Sequence, residues 1–367
     1  MTAVDDFTGA RHLNSVLGSG RACKEGSERC NGEHWDLERL QDALGTENRS
    51  NGPSPGVLNA NDQAVAKPAP RLQPNQTVLS HGQAEKLGTR SDTTAVGGGE
   101  SQDSCKPRMD PARLAKIIHG DVVKHNDNKY LADFEKESWF QDFLADAGLA
   151  SLLHTKQRSK EITEGYGIAV RVQRLLSELA LPPDGKGVVL LDTCSGKGMT
   201  GALLSMKFPA ARVVLLDANG QMNLAHCTTR PNLSFRHLDL FSPRVREALQ
   251  IEIGDQVAVA AGMHLCGALS PRLLDIFSGV SALRGLVLCP CCLKGSLGKG
   301  VKAAAKRDGR TYEEVLSETL VGVAKSMLAE AGLQGCQVRE EVDDAILSPK
   351  RRLVVASKGR PEEHEQH

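Results

Sequence analysis

Aromatic residues are scarce in this chain, at 4% of 367 residues. That excludes a nucleic-acid binder built on successive stacking rings. No apolar run approaches the roughly 18–20 residues that a membrane helix needs. The opening MTAVDDFTGA has neither the apolar segment of a secretory signal nor the arginines of a transit peptide, so no targeting or membrane role is expected. Excess charge is also missing: 45 Lys+Arg balance 45 Asp+Glu. A wholesale basic coat and an acidic tail protein are thereby excluded, while a local basic patch is not. Hydrophobic residues make up 40%, enough for one sizeable core and low for two. One domain with a long tail fits that balance.

Ten cysteines are present, and Cys194, Cys227, Cys266, Cys289, Cys291 and Cys292 fall inside one stretch, mostly at the ends of apolar runs. Without a signal peptide they read as reduced thiols rather than a disulfide framework. The expected location is the cytoplasm, with the nucleus left open, and the sequons at Asn48 and Asn75 then carry no weight.

Residues 1–107 are rich in Asn, Gly, Ser, Pro and Asp and read as a disordered low-complexity region, with a short helix around Trp35–Leu44. Cys23, Cys30 and His34 lack a fourth ligand at zinc-finger spacing. Residues 108–150 read as a helical lead-in, carrying Tyr130, Phe134, Trp139, Phe140 and Phe143. From 151 to 358 the pattern is regular, and 359–367 is a polar tail. Ile168, Val172, Leu175 and Leu179 repeat at helical spacing up to Pro182-Pro183-Asp184-Gly185. Strands are expected at 188–192, 212–217, 233–241, 256–262 and 284–289. Helices are expected from Met199, over Asn219–Cys227, and at 243–251 and 271–278, the last two opened by Ser242-Pro243 and Ser270-Pro271. A Gly/Lys-rich loop follows, then a helix opened by a Thr311/Glu314 capping box. Two final strands are joined at Ser348-Pro349-Lys350. This alternation specifies an α/β, Rossmann-like, doubly wound and mostly parallel sheet, seven-stranded, with a terminal antiparallel hairpin.

Ligands of such sheets bind at the carboxyl ends of the strands. The first strand ends in Asp192-Thr193-Cys194-Ser195-Gly196-Lys197-Gly198, whose glycines allow a tight turn and a close backbone approach. With Gly201 the spacing formally fits a dinucleotide loop, so a nicotinamide-dependent oxidoreductase stands as one reading. Asp217 ends the second strand, where a carboxylate accepts ribose hydroxyls, and Asp239 follows the third, near an adenine amino group. Carboxylates at Asp192, Asp217 and Asp239 suit the ammonium and sulfonium of S-adenosyl-L-methionine and repel a pyrophosphate.

LDTCSGKG followed by LLDAN resembles motifs I and II of class I S-adenosylmethionine-dependent methyltransferases. GMHLCG, LCPCC and SPKRRLVVA are similar to one eukaryotic branch. That branch holds the methyltransferase-like module of glutathione S-transferase C-terminal-domain-containing proteins and the acceptor-stem tRNA 2′-O-methyltransferases. The resemblance covers roughly 150–358, including Lys156–Glu161, and does not extend to any partner domain in 1–150. It implies that Asp192, Cys194, Ser195, Gly196, Gly198, Asp217 and Asp239 line the cofactor pocket, with Thr193 inside the same loop.

It fixes no catalytic base. His264, just past the fourth strand, is the candidate, against a histidine that merely shapes its loop. Cys266, Cys289, Cys291 and Cys292 read as small apolar fillers, as a metal site with His264, or as nucleophiles, with Cys266 the catalytic candidate and no metal expected. Lys294, Lys299, Lys302, Lys306, Arg307 and Arg310 after the fifth strand, with Lys350, Arg351 and Arg352 in the final turn, gather positive charge at the cofactor's edge. Lys156, Arg158 and Lys160 add to it, and together they suit the phosphates of an RNA acceptor. The expectation is a monomeric methyltransferase acting on RNA, tRNA being one form of it. The alternative is a catalytically inactive methyltransferase-like binding module.

Overall fold

The computed structural model describes residues 110–359 apart from Asn223, so the readings for 1–107, Cys23, Cys30 and His34 among them, and for the tail beyond 359 lie outside the described residues. Four helices form the lead-in: α1 (Pro111–Lys124), α2 (Lys129–Lys136), α3 (Phe140–Ala145) and α4 (Ala147–Leu152). Short polar side chains start three of them. Asp110 accepts from the Arg113 amide, Asn128 from those of Tyr130 and Leu131, and Asp146 from those of Gly148 and Leu149. Phe134 meets Phe140 and Phe143 edge to face at 5.2 and 5.5 Å. These rings lie in one continuous core with the following helix and one face of the sheet, so the lead-in is part of the domain.

Helix α5 (Arg158–Glu178) carries the Ile168–Val172–Leu175 stripe inward, and Leu179 caps its end. Three polar side chains are buried with the stripe, at Thr163, Glu164 and Arg171. The Arg171 guanidinium donates to Asp343, to Glu341 at 3.0 Å and to the Tyr130 hydroxyl at 3.1 Å, and that hydroxyl donates to Asp343 at 2.6 Å. Such a network ties the lead-in, α5 and the last connection together, since an unpaired charge at that depth costs several kcal/mol.

The strands are β1 (Val188–Thr193), β2 (Arg212–Asp217), β3 (Leu233–His237), β4 (Val257–Cys266), β5 (Leu283–Cys292), β6 (Gln337–Val342) and β7 (Arg352–Ser357). They form one seven-stranded sheet in the order β3-β2-β1-β4-β5-β7-β6, with β7 antiparallel to both neighbours. Every residue of β1 is buried, because the sheet is covered on both sides. The two-residue period then splits its side chains: Val188 and Leu190 join one core, Val189 and Leu191 the other. The order reverses between β1 and β4, and the crevice at the carboxyl ends of these two strands is where such sheets take ligands.

Helices α6 (Met199–Lys207), α7 (His226–Thr229), α8 (Val245–Ile253), α9 (Leu269–Gly279), α10 (Gly295–Asp308) and α11 (Tyr312–Glu330) complete the fold. The capping box is present, Thr311 Oγ1 accepting from the Glu314 amide and Glu314 from that of Thr311.

Several local expectations are corrected. The Asn219–Cys227 helix shrinks to the single turn of α7, because Asp217 and Asn219 take the amides of Asn219 and Gln221 in successive turns. Strand β3 stops at His237 rather than 241, and Asp239 closes a turn by accepting from the Phe241 amide. Ser242 caps that turn through the Arg244 amide, so α8 opens two residues later than expected. Ser270 lies inside α9, its hydroxyl donating to the Leu265 carbonyl. The last two strands are joined by 343–351, not by Ser348–Lys350 alone. Two corrections bear on function: β4 and β5 run to Cys266 and Cys292, and the Gly/Lys-rich stretch is the helix α10. Val301 and Ala305 seat that helix, and Gly298 admits it against the Leu293 carbonyl, where a Cβ would come within 2.3 Å.

Candidate active site at the carboxyl edge of the sheet

One half of the edge is the loop between β1 and α6. Cys194, Gly196 and Gly198 have φ of 55°, 52° and 80°, so the backbone turns through the left-handed region three times in five residues. At Gly198 a Cβ would press on Leu215 at 2.6 Å and on the His226 ring at 2.9 Å, so no other residue fits without displacement. His226 is held there because Gly148 of α4 lets the backbone at His226 approach to within 2.7 Å of where a Cβ would be. Nothing comparable crowds Gly196, which faces open space.

Carboxylates hold this loop in shape. The Gly196 amide donates to Asp217 at 3.0 Å, and the Gly201 amide to Asp192 at 2.8 Å. Burial pushes the Asp192 carboxyl up to about 7; the Gly201 hydrogen bond opposes this and the neighbouring Asp217 charge adds to it. The Cys194 thiol is pushed up to about 12, by burial first and then by Asp217, Asp192 and Asp239. All three carboxylates chosen from the sequence act on the Cys194 thiol. Thr193 is different: its hydroxyl donates to the Ala261 carbonyl at 2.7 Å, inside the sheet. The Ser195 amide donates to the Leu216 carbonyl, while its buried hydroxyl has no partner among the described residues.

These features fit an adenosyl sulfonium cofactor. There is room above Gly196, an unpaired hydroxyl at Ser195, and carboxylate oxygens at Asp192 and Asp217 with lone pairs to spare. A pyrophosphate would meet those same carboxylates and be repelled.

The other half is made by β4, β5 and α5. His264 lies within β4, not past it, at a register shift and with φ of 58°. The bulge re-aims its ring out of the strand's alternation. Its Nε2 is 2.6 Å from Glu164 Oε1 and 3.2 Å from Lys160 Nζ, and Lys160 is itself 3.0 Å from Glu164. Burial alone would raise the Glu164 carboxyl; the hydrogen bond from His264, its charge and Lys160 outweigh it and hold the carboxyl below its ordinary value. A ring proton on Nε2 would be donated to Glu164. Nδ1 is then the atom with a free lone pair, and it has no partner among the described residues.

Glu164 is a functional candidate that sequence reasoning passed over, and Lys160 was read there only as a phosphate contact. The signal was present, since Glu164 stands one helical repeat before Ile168 on the buried stripe. A carboxylate on an apolar face needs a partner.

Cys266, Cys291 and Cys292 have sulfurs within 4.8 Å of one another, and His264 is not in this group. Cys289 points elsewhere: it is buried, its thiol donates to the Lys350 carbonyl, and burial pushes it up to about 12. Cys266 is also pushed up to about 12, by burial and then by the adjoining thiols. Cys292 is lowered: burial opposes this, but the Gly267 amide, Cys266, Cys291 and Lys294 favour its charged form.

Much of the gathered positive charge is already engaged. Lys350 bonds Glu313, Arg351 lies 3.0 Å from Asp344, and Arg352 bonds Glu314 and Glu340. Arg307 pairs with Asp308, Arg310 with Glu318, Arg158 with Asp121 and Lys160 with Glu164. Lys294, Lys299, Lys302 and Lys306 are exposed and carry no carboxylate partner among the described residues. The last three stand at i, i+3 and i+7 along α10, one face of the helix.

The strand order, the glycine loop after β1 and the acidic end of β2 define a class I S-adenosylmethionine-dependent methyltransferase domain. Residues 160–295 match the family model described as a methyltransferase domain. A glutathione S-transferase C-terminal domain-containing protein of Xenopus laevis is 23% identical over 180 residues, 49% of this chain and 27% of that protein. The ribosomal RNA small subunit methyltransferase G of Xanthomonas oryzae pv. oryzae is 30% identical over 153 residues, 40% of this chain and 65% of that protein. The chain thus spans 27% and 65% of the lengths of these two relatives. Among solved structures, the CurJ carbon methyltransferase is similar with a TM-score of 0.37 and 14% identity, covering 68% of this chain and 71% of that one. Human N-acetylserotonin methyltransferase in complex with S-adenosylmethionine has a TM-score of 0.30 and 12% identity, covering 68% and 67%. No helix among the described residues is long and apolar enough to cross a membrane.

Proposed function

We propose that this chain transfers a methyl group from S-adenosylmethionine to an RNA acceptor. The observation that carries the reading is one sheet edge that holds both a glycine loop with carboxylates about it and a part-buried Glu164–His264 pair. When bound, the cofactor supplies an electrophilic methyl group, and the protein's part is to align it with a nucleophile and manage one proton. Asp217 would accept from the ribose hydroxyls, Asp239 from the adenine amino group, and Asp192 would face the ammonium, which relieves its buried charge. His264 Nδ1 would take the proton of an acceptor hydroxyl or amine, and Glu164 would hold the ring and stabilise the imidazolium that forms. The case for RNA is the unpaired lysine face of α10, which begins just past β5 and suits a phosphate backbone. The relative that methylates ribosomal RNA agrees with this choice.

The test is radiolabelled methyl transfer by the full chain, with total RNA and, in parallel, with protein and small-molecule fractions. Label in nuclease-sensitive material, reduced severalfold by Lys299→Glu/Lys302→Glu/Lys306→Glu, is the expected result. Label only in the other fractions overturns the RNA assignment. Cofactor binding without turnover on any fraction returns the domain to a binding module.

A further inference from the structure

We propose that Cys266, Cys291 and Cys292 form a three-thiolate site for a soft divalent cation of the zinc class, at the carboxyl ends of β4 and β5. The three sulfurs lie within 4.8 Å of one another. Two thiolates on a tetrahedral zinc ion with bonds of ~2.3 Å stand about 3.8 Å apart, so the thiols need to close by only a fraction of their spacing. Thiolate donors select soft cations over magnesium or calcium.

Strict alternation along a strand would send Cys291 and Cys292 to opposite faces. They converge because Pro290 has no amide proton for the ladder, and the β4–β5 register shifts between Leu265 and Cys266, which brings Cys266 opposite Cys292. The surroundings also suit an anionic cluster. The Gly267 amide donates to the Cys292 carbonyl at 2.7 Å, and Lys294, two residues past Cys292, is exposed. Three thiolates with a divalent cation carry one net negative charge, and Lys294 is the neighbouring cation without a carboxylate partner among the described residues.

Among the described residues no fourth His, Cys, Asp or Glu joins the group. Three protein ligands and one position for water or another donor is the arrangement of zinc sites that act on a ligand rather than merely brace a fold. The ion would also tie β4 to β5 two residues beyond His264, fixing the bulge that aims it.

Zinc alone is the probe, added to the full chain purified under reductant and freed of metal. We expect one zinc per chain, withdrawn by a chromophoric chelator only at high excess. Cobalt in its place should give a strong thiolate-to-metal charge-transfer band in the near ultraviolet. Cys266→Ser, Cys291→Ser and Cys292→Ser should each weaken binding at least hundredfold and abolish the band. Cys227→Ser, Cys336→Ser and the double variant Cys23→Ser/Cys30→Ser should retain both. Because serine variants can misfold, melting is compared without and with zinc. Zinc should raise the melting temperature of the wild type, and should not raise that of a variant whose metal-free melting matches the metal-free wild type. Less than stoichiometric zinc in the reduced wild type, zinc retained by Cys266→Ser/Cys292→Ser, or zinc lost with Cys23 and Cys30 each overturns the proposal. Its outcome is independent of the methyl acceptor.

Discussion

After β1 the chain leaves the sheet through glycines; β4 and β5 run on to Cys266 and Cys292, and β4 kinks within the sheet at His264. The first half of the edge presents backbone amides, and its carboxylates are bonded to them, Gly196 to Asp217 and Gly201 to Asp192. No cationic side chain bonds Asp192 among the described residues. The second half presents side chains, and its carboxylate Glu164 is matched by His264 and Lys160. One half gathers carboxylates that are bonded to backbone amides, which suits a cation that arrives from outside. The other is compensated internally and leaves a single lone pair free, which suits proton transfer.

The difference can be broken most forcefully at Asp192. Its carboxyl holds a proton up to about 7 in the folded chain, while the unfolded chain releases it near 3.8. Its contribution to stability should therefore be greatest below pH 4, fall as pH rises from about 4 to about 7, and be level above that. The full span is about 4 kcal/mol at most. In urea unfolding of the metal- and cofactor-free chain, Asp192→Asn should flatten that slope. An identical slope in the variant means that another group titrates there.

Gly198→Val comes next. Its side chain would collide with Leu215 and His226 at a φ of 80°, displacing the loop. S-adenosylhomocysteine affinity by calorimetry should fall about a hundredfold, about 2.7 kcal/mol. An affinity within threefold of wild type, in a variant with unchanged circular dichroism, would move the cofactor seat elsewhere.

Asp217→Ala should cost at least tenfold in the same titration. It removes both the acceptor for the ribose and the brace on the Gly196 amide, each bond to a charged group being worth about 1.5–3 kcal/mol. Glu164→Gln sharpens the contrast from the other side. It keeps the shape but loses the charge that orients His264, so kcat should fall about tenfold while cofactor affinity stays within twofold. A loss of cofactor affinity equal to the loss in kcat would erase the distinction between the halves.

How much of this was legible in the chain follows the same division. The half proposed for the cofactor is local: Asp192 through Gly198 are consecutive, Asp217 ends β2 and Asp239 stands two residues past β3, so spacing alone places them at one edge. Helix and strand identities in 151–358 follow from periodicity, and where boundaries slipped, at Ser242, Ser270 and Asn219, a side chain had taken a nearby amide or carbonyl that regular structure would have used. The half proposed for the acceptor is not local. Glu164 and His264 are a hundred residues apart, joined only because α5 packs across β4. The basic residues after β5 looked uniform in the chain, yet the fold pairs Arg307, Arg310, Lys350, Arg351 and Arg352 with acids and leaves one lysine face on α10.

By itself the sequence determined the layered α/β architecture, the glycine loop and the acids that surround it, because a two-residue or 3.6-residue period and a turn's demand for glycine act over a few neighbouring residues. Only the tertiary structure decided which nitrogen of His264 is held, which thiols converge and which lysines stay free. Those outcomes depend on a bulge at one residue and on contacts between segments far apart in the chain, and neither leaves a periodic trace.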